Sequence, residues 1–191
     1  MRSFRICLVL SLTCAPLIEA ASDETFKIDP PHSRIGFKVH QAIANVTGRF
    51  KEFGGTIALD RQHPEKSSVT ATIQVKSIDT GIAKRDAHLR SEEFFNAARF
   101  PEITFKSRSV KQTGPDAGDI LGDFTMHGVT RPIALHVKLL SKNGKQTRWQ
   151  VTTEKLSRRE FGTQFSKGLE TVSMISDKVA VDIEIVALAA P

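Results

Sequence analysis

Strict alternation of apolar and polar residues, repeated along most of its length, constrains this chain more than any other feature. Ile35, Phe37 and Val39 alternate with Gly36, Lys38 and His40, and Val69, Ala71, Ile73 and Val75 alternate with Thr70, Thr72, Gln74 and Lys76. Phe124 and Met126 stand against Asp123, Thr125 and His127. Ile133, Leu135, Val137 and Leu139 alternate with Ala134, His136 and Lys138, and Val179, Val181, Ile183 and Ile185 oppose Asp182 and Glu184. A period of two sends successive side chains to opposite faces, so each run predicts an antiparallel strand with one buried and one wet face. Shorter strands are expected at residues 48–53, 56–60, 103–110 and 148–154, which makes eight or nine in all.

The breaks carry turn chemistry. Pro64 lies within 62–67, and Gly114, Pro115 and Gly118 lie within 112–119. Asn143-Gly144, between two strand-like runs, is a hairpin signal. One segment departs from the period: across 83–98 the apolar members Ala87, Leu89, Phe94 and Phe95 are more widely spaced. Ser91 followed by Glu92 and Glu93 reads as a helix N-cap with acids in the first turn. One or two short helices are therefore expected between strands, closed by Pro101. Many alternating strands in one domain have two economical solutions, a sandwich or a closed barrel, and an apolar inner face fits a ligand cavity or a solid core equally well.

The N-terminus reads as a secretory signal, with Arg2 and Arg5 ahead of an apolar run at 6–18 and small residues at Ala20 and Ala21. The expected division is a cleaved signal at 1–20 and one domain over 21–191. Both cysteines, Cys7 and Cys14, fall inside the signal, so the mature domain would rely on packing without disulfides or thiolate chemistry. The formal charge is +6; loss of two arginines and Glu19 with the signal would leave +5. Export argues against nucleic acid as a partner. It leaves an anionic lipid surface, an anionic head group or plain solubility as reasons for that charge.

No recognised nucleophile elbow, phosphate-cradling loop or dinucleotide fingerprint occurs. None of the six histidines has a metal-ligand spacing, although a site assembled in space from His40, His127 and His136 stays open. Arg85-Asp86 and Arg158-Arg159-Glu160 are the most suggestive charge groups, the first beside Leu89, Phe94 and Phe95, the second beside Phe161 and Phe165. Each reads either as an ion pair that fixes a loop or as a cationic clamp for a phosphate or carboxylate head.

Five ordered blocks then carry a resemblance. They are Asp29-Pro30-Pro31-His32-Ser33 with Ile35-Gly36-Phe37; Gly48-Arg49-Phe50-Lys51-Glu52-Phe53-Gly54-Gly55; and Ser77-Ile78-Asp79-Thr80 with Lys84-Arg85-Asp86-Ala87-His88-Leu89-Arg90-Ser91 and Phe94-Phe95. Pro101-Glu102-Ile103-Thr104-Phe105-Lys106-Ser107 and Gly122-Asp123-Phe124-Thr125-Met126-His127-Gly128-Val129-Thr130 complete them. Over its whole mature length the chain resembles the YceI-like family of periplasmic polyisoprenoid-binding proteins. It departs at Ser157, where the family's N-R-x-D-F-G block has asparagine, and at Phe124, where leucine is usual. The resemblance implies an all-β, lipocalin-like extended antiparallel barrel of about eight strands with a short helical insert. Its apolar tunnel would hold a polyprenyl quinone or polyprenyl phosphate. The expected wall residues are Phe37, Val39, Phe50, Ile73, Val75, Phe105, Phe124 and Met126 from strands, with Leu89, Phe94 and Phe95 from the insert and Arg85, Arg158 and Phe161 beside them. Lipid binding and transport without catalysis is the leading expectation. The alternatives are a periplasmic enzyme acting on a lipid or other exported substrate, and a module with a solid core. No cofactor or metal is expected. The expected partners are an isoprenoid lipid, transiently a membrane surface, and a second copy if the protein forms a homodimer.

Overall fold

The computed structural model describes residues 24–41, 44–154, 156–163 and 175–190; the expected signal peptide and Phe165 lie outside them. Twelve strands occur among the described residues: β1 (Glu24–Ile28), β2 (Arg34–Gln41), β3 (Ala44–Phe50), β4 (Phe53–Leu59), β5 (Ser68–Gln74) and β6 (Ile78–Asp79) come first. One α-helix, α1 (Ala83–Arg90), precedes β7 (Glu102–Gly114), β8 (Ala117–Met126), β9 (Val129–Asn143), β10 (Gln146–Thr152), β11 (Leu156–Ser157) and β12 (Ile175–Ala189). All pairings are antiparallel, in the order β1-β4-β5-β7-β8-β9-β10-β12, and β12 returns to β1 through Phe26↔Ala189 and Ile28↔Ala187. The expected eight-stranded barrel is therefore present and closed, so the ring leaves no sheet edge along that path. At about 3.4 Å per residue, the 15-residue strands β9 and β12 span about 50 Å, which makes the barrel long as well as closed.

The count exceeds eight because several ring strands bend and continue as a second segment. Pro30 and Pro31 interrupt the first, since proline has no N–H for the ladder. Beyond that break β2 pairs with the N-terminal part of β12, while β1 pairs with its C-terminal end. β3 gives way to β4 at Lys51-Glu52, and β5 gives way to β6 through a single 3-10 turn at Val75–Ser77. Among the described residues β3 pairs only with β2 and, through Arg49 and Phe50, with the short β6. α1 lies in the chain between β6 and β7 on this side, so it forms one end of the barrel. The loop 60–67 and the β7–β8 hairpin form the other.

Two expectations need correction. Ser91 is not an N-cap: it is the C-cap of α1, its hydroxyl donating to the His88 carbonyl at 2.7 Å, and residues 92–99 are turns. Acids after a serine suit a helix start, but here the helix has already formed from Ala83. The break expected at 112–119 shrinks to two residues, because β7 runs on to Gly114 and pairs with Ala117. The Asn143-Gly144 hairpin forms with its tight turn one residue later. Gln146 pairs with Asn143, and Gly144 takes φ +57 at the first central position, as a type II′ turn requires.

Burial is close to complete where the ring closes. Phe26, Val186 and Ala187 are all but inaccessible. Glycine makes room for rings on the wall: a Cβ on Gly122 would lie 2.6 Å from Cε2 of Phe105 and 2.7 Å from the Lys106 carbonyl oxygen. Gly48 likewise lies under the Phe37 ring.

Candidate functional site

The inward phase of the strands does not close into a solid core. It surrounds a cavity of about 1050 Å³, slightly above the usual range for small-molecule sites. The expected wall residues Phe37 and Val39 on β2, Phe50 on β3, Ile73 on β5, Phe105 on β7, and Phe124 and Met126 on β8 all line it. From the insert, Leu89 on α1 and Phe94 and Phe95 in the turns line it too. Rings join in a chain from β2 through β3 to the insert. Phe37 and Phe50 centroids are 5.8 Å apart, Phe50 and Phe95 are 6.4 Å apart, and Phe95 meets Phe94 edge-on at 4.9 Å. The two contacts of Phe95 are edge-to-face, a geometry that aromatic pairs favour, and the Phe37–Phe50 pair is tilted.

Val75 and Phe161 are placed elsewhere. Val75 falls in the 3-10 turn after β5, 1% exposed, so the alternation that aims Ile73 inward ends before it. Phe161, 2% exposed, stands behind Phe124 at 5.3 Å, edge to face, and supports the wall without lining it. The wall also includes residues beyond those expected, among them Leu135 and Val137 on β9, Trp149 on β10, and Val181 and Ile183 on β12. Their signal is the same alternation, since strands that close a ring turn one phase of each toward a common interior.

Polar side chains gather at the two ends. Lys84, Arg85, His88 and Glu93 lie at the α1 end; Asp60, Arg61, Gln112 and Asp116 lie at the other. Arg85 is held by Thr80. Its Nε donates to the Thr80 hydroxyl at 2.7 Å and its Nη2 to the Thr80 carbonyl at 2.8 Å. The buried Asp86 carboxylate in turn accepts from the backbone N–H and hydroxyl of Thr80. His88 and Glu93 are paired at 2.9 Å.

Arg158 resolves differently. It is 4% exposed, and its guanidinium donates to the carbonyls of Ser176 (3.1 Å), Thr163 (3.1 Å) and Ile175 (3.3 Å). It lines the cavity, yet these bonds tie the segment after β11 to the start of β12. Asp177 completes that tie. Ser157 donates to it at 2.7 Å and the Arg159 backbone N–H at 3.0 Å. Burial alone would raise the Asp177 carboxyl, but the Ser157 hydroxyl, the Arg159 N–H and the nearby charges of Arg159 and Lys178 hold it below the ordinary value. Ser157, where the family pattern has asparagine, is therefore a working hydrogen-bond donor here.

The three histidines considered together for a metal are dispersed. His40 pairs with Asn45, His136 with Asp119, and His127 packs on Phe100 with its Nδ1 3.2 Å from the Phe161 carbonyl. Among the described residues no group of three or more metal-ligating side chains converges. The phase of its neighbours would put His127 on a strand, but it takes φ +52 in the turn after β8. Among the described residues what remains is a largely apolar lumen, with ionic groups at its mouths and the guanidinium of Arg158 spent on backbone carbonyls, an arrangement suited to enclosing a long apolar chain.

Comparison with known proteins agrees with that geometry. The model of the YceI-like domain family matches residues 26–187. Protein YceI of Escherichia coli is 41% identical over 140 residues, covering 70% of this chain and 73% of its own. Among solved structures, BcnA of Burkholderia cenocepacia superposes with a TM-score of 0.77 at 22% identity, covering 83% of this chain and 98% of its own. A polyisoprenoid binding domain from Saccharophagus degradans, implicated in plant cell wall breakdown, superposes at 0.71 with 18% identity, covering 86% and 98%. At those identities the two superpositions speak for the fold.

Proposed function

The chain belongs to the YceI-like family, and from that premise we propose that it binds a long-chain isoprenoid lipid inside its barrel and carries or stores it in the periplasm, without catalysis. The observation that carries this reading is the apolar cavity of about 1050 Å³ along the barrel. Each buried CH₂ contributes about 0.8 kcal/mol. Several isoprene units buried whole would thus approach the practical affinity limit near −20 kcal/mol. A ligand of that kind is nearly insoluble, so loading and release take place at a membrane or against another protein. The polyisoprenoid-binding description of one structural neighbour supports the same ligand class, and the signal-like N-terminus supports the compartment. Organic extraction of protein purified from periplasm, followed by mass spectrometry, should release a prenyl lipid in near-stoichiometric amount. Repeated preparations with an empty lumen would overturn the proposal.

A further inference from the structure

Four large apolar side chains stand exposed among the described residues: Ile82, Leu121, Leu140 and Leu188. The last three lie on the barrel strands β8, β9 and β12 and do not line the cavity. Scattered apolar residues of that kind are ordinary on a protein surface. Ile82 is different. It is 52% exposed and also lines the cavity, at the α1 mouth. Its neighbours Gly81 and Ala83 are exposed, as is Ala87 one turn on, so an apolar tip leads from solvent into the lumen.

As a helix start, Ile82 is a poor choice. Asp86 in the first turn of α1 and His88 and Arg90 in its last suit the helix field. The N-cap does not follow suit, because Ile82 makes no side-chain cap there. Serine or aspartate would accept from a first-turn N–H, and the backbone of Ile82, at φ −131° and ψ 105°, is already extended as such a cap requires. Departures from local preference of this kind concentrate at functional sites. The rim around the tip is cationic. Lys84 is exposed and has no ion-pair partner among the described residues. Arg49 and Lys51, both more than half exposed, share the single carboxylate of Asp79, which also accepts from the Gly81 N–H. Asp86 is buried against Thr80, while Glu92 and Glu93 follow the opposite end of α1, the latter paired with His88.

We propose that this tip docks the α1 mouth onto a lipid bilayer, so that a chain passes between membrane and lumen without crossing water. The purpose of the docking rests on the barrel holding an isoprenoid. Ile82 enters the boundary between head groups and acyl chains, and Lys84, Arg49 and Lys51 meet anionic head groups at the surface. A second protein fits the tip less well. One isoleucine between two small residues offers far less than the about 800 Å² per partner that a stable protein interface buries. For a carrier a small contact is the useful one, because it must release the membrane after each exchange.

Delipidated protein should be floated with vesicles of phosphatidylethanolamine and phosphatidylglycerol that hold no isoprenoid. The unaltered protein should float with them, and less of it as salt rises. Ile82→Asp should lower the association about tenfold, the scale of losing one apolar wedge and adding a repelled charge. The same change supplies the missing cap, so exchange of amides 83–90 should slow; a residue that merely braced α1 would give faster exchange instead. Leu188→Asp, at an exposed position away from the mouth, should float like the unaltered protein. Uptake from vesicles that carry a polyprenyl quinone or, in a parallel set, a polyprenyl phosphate should slow in Ile82→Asp by a similar factor. Full association of Ile82→Asp, or equal loss in Leu188→Asp, would overturn the docking and leave lipid binding standing. So would failure of the unaltered protein to float. Self-association abolished by Ile82→Asp, without vesicle binding, would assign the tip to a second copy and overturn it too. Docking through Ile82 with neither prenyl lipid recovered from the protein would overturn the isoprenoid reading and leave the docking standing.

Discussion

Arg158 and Arg85 look alike in the sequence, each followed or nearly followed by an acid and flanked by aromatics. The fold gives them opposite tasks. Arg158 meets the carbonyl of Thr163, five residues on, and those of Ile175 and Ser176 at the start of β12, 17 and 18 residues on, and no local pattern announces the two that only the fold brings to it. Arg85 is held within its own motif by Thr80, five residues away, which is why its neighbourhood is legible. Replacing Arg158 by methionine keeps an apolar stem but leaves the three carbonyls without their donor. It should cost about 3 kcal/mol, given what a buried unsatisfied group and a charge-assisted bond are worth. Arg158→Lys should recover less than half of that, because an ammonium cannot bridge three acceptors in one plane. Urea midpoints at constant m-value measure both; a loss below about 1 kcal/mol for Arg158→Met would mean that the tie carries little weight.

Among the elements, the long strands are legible because their phase is regular and their buried face continuous. Phe37, Val39 and Val181 need no tertiary knowledge to be assigned inward. β1 sends no such signal, since Phe26 and Ile28 give only two apolar members. Its importance comes from closing the ring on β4 and β12, a property of topology and not of local pattern. α1 is legible in kind but not in extent, because Ser91-Glu92-Glu93 at its C-terminal side imitates a helix start. An eight-residue helix is too short to persist on its own, so α1 depends on its anchors, chiefly the two bonds from Thr80 to Asp86. Asp86→Ala should therefore loosen this element without unfolding the barrel. Hydrogen exchange across residues 80–90 should accelerate by about tenfold or more, while amides of β9 and β12 keep their protection. Equal acceleration in α1 and the barrel strands would show that the insert and the ring unfold as one unit.

For the whole molecule, the closed ring reconciles two demands that conflict in most small domains. The described residues hold no cysteine, so their stability needs dense packing, and a ligand lumen needs its absence. The barrel separates them in space: Phe26 and Ala187 at the closing seam are almost wholly buried, while Val137 and Ile183 on β9 and β12 face an open cavity of about 1050 Å³. Sequence alone does not distinguish these two kinds of inward residue, because each sits on the same apolar phase of a strand. Substitution can. An added ring in a filled core costs about 1–3 kcal/mol through forced rotamers and backbone shifts. Ala187→Phe, 0% exposed and away from the cavity wall, should suffer at least that. Val137→Phe and Ile183→Phe project the same ring into open space and should change stability by less than about 1 kcal/mol. What they should lose is lipid: each ring removes volume and contact from the chain's path, so the lipid recovered per mole of protein should fall severalfold, and further in the double variant. Thermal unfolding and quantified extraction on the three variants together separate the two cases. If the two wall variants destabilise the protein as much as Ala187→Phe and leave lipid recovery intact, the lumen is a packed core, and the ligand, wherever it binds, is not inside the barrel.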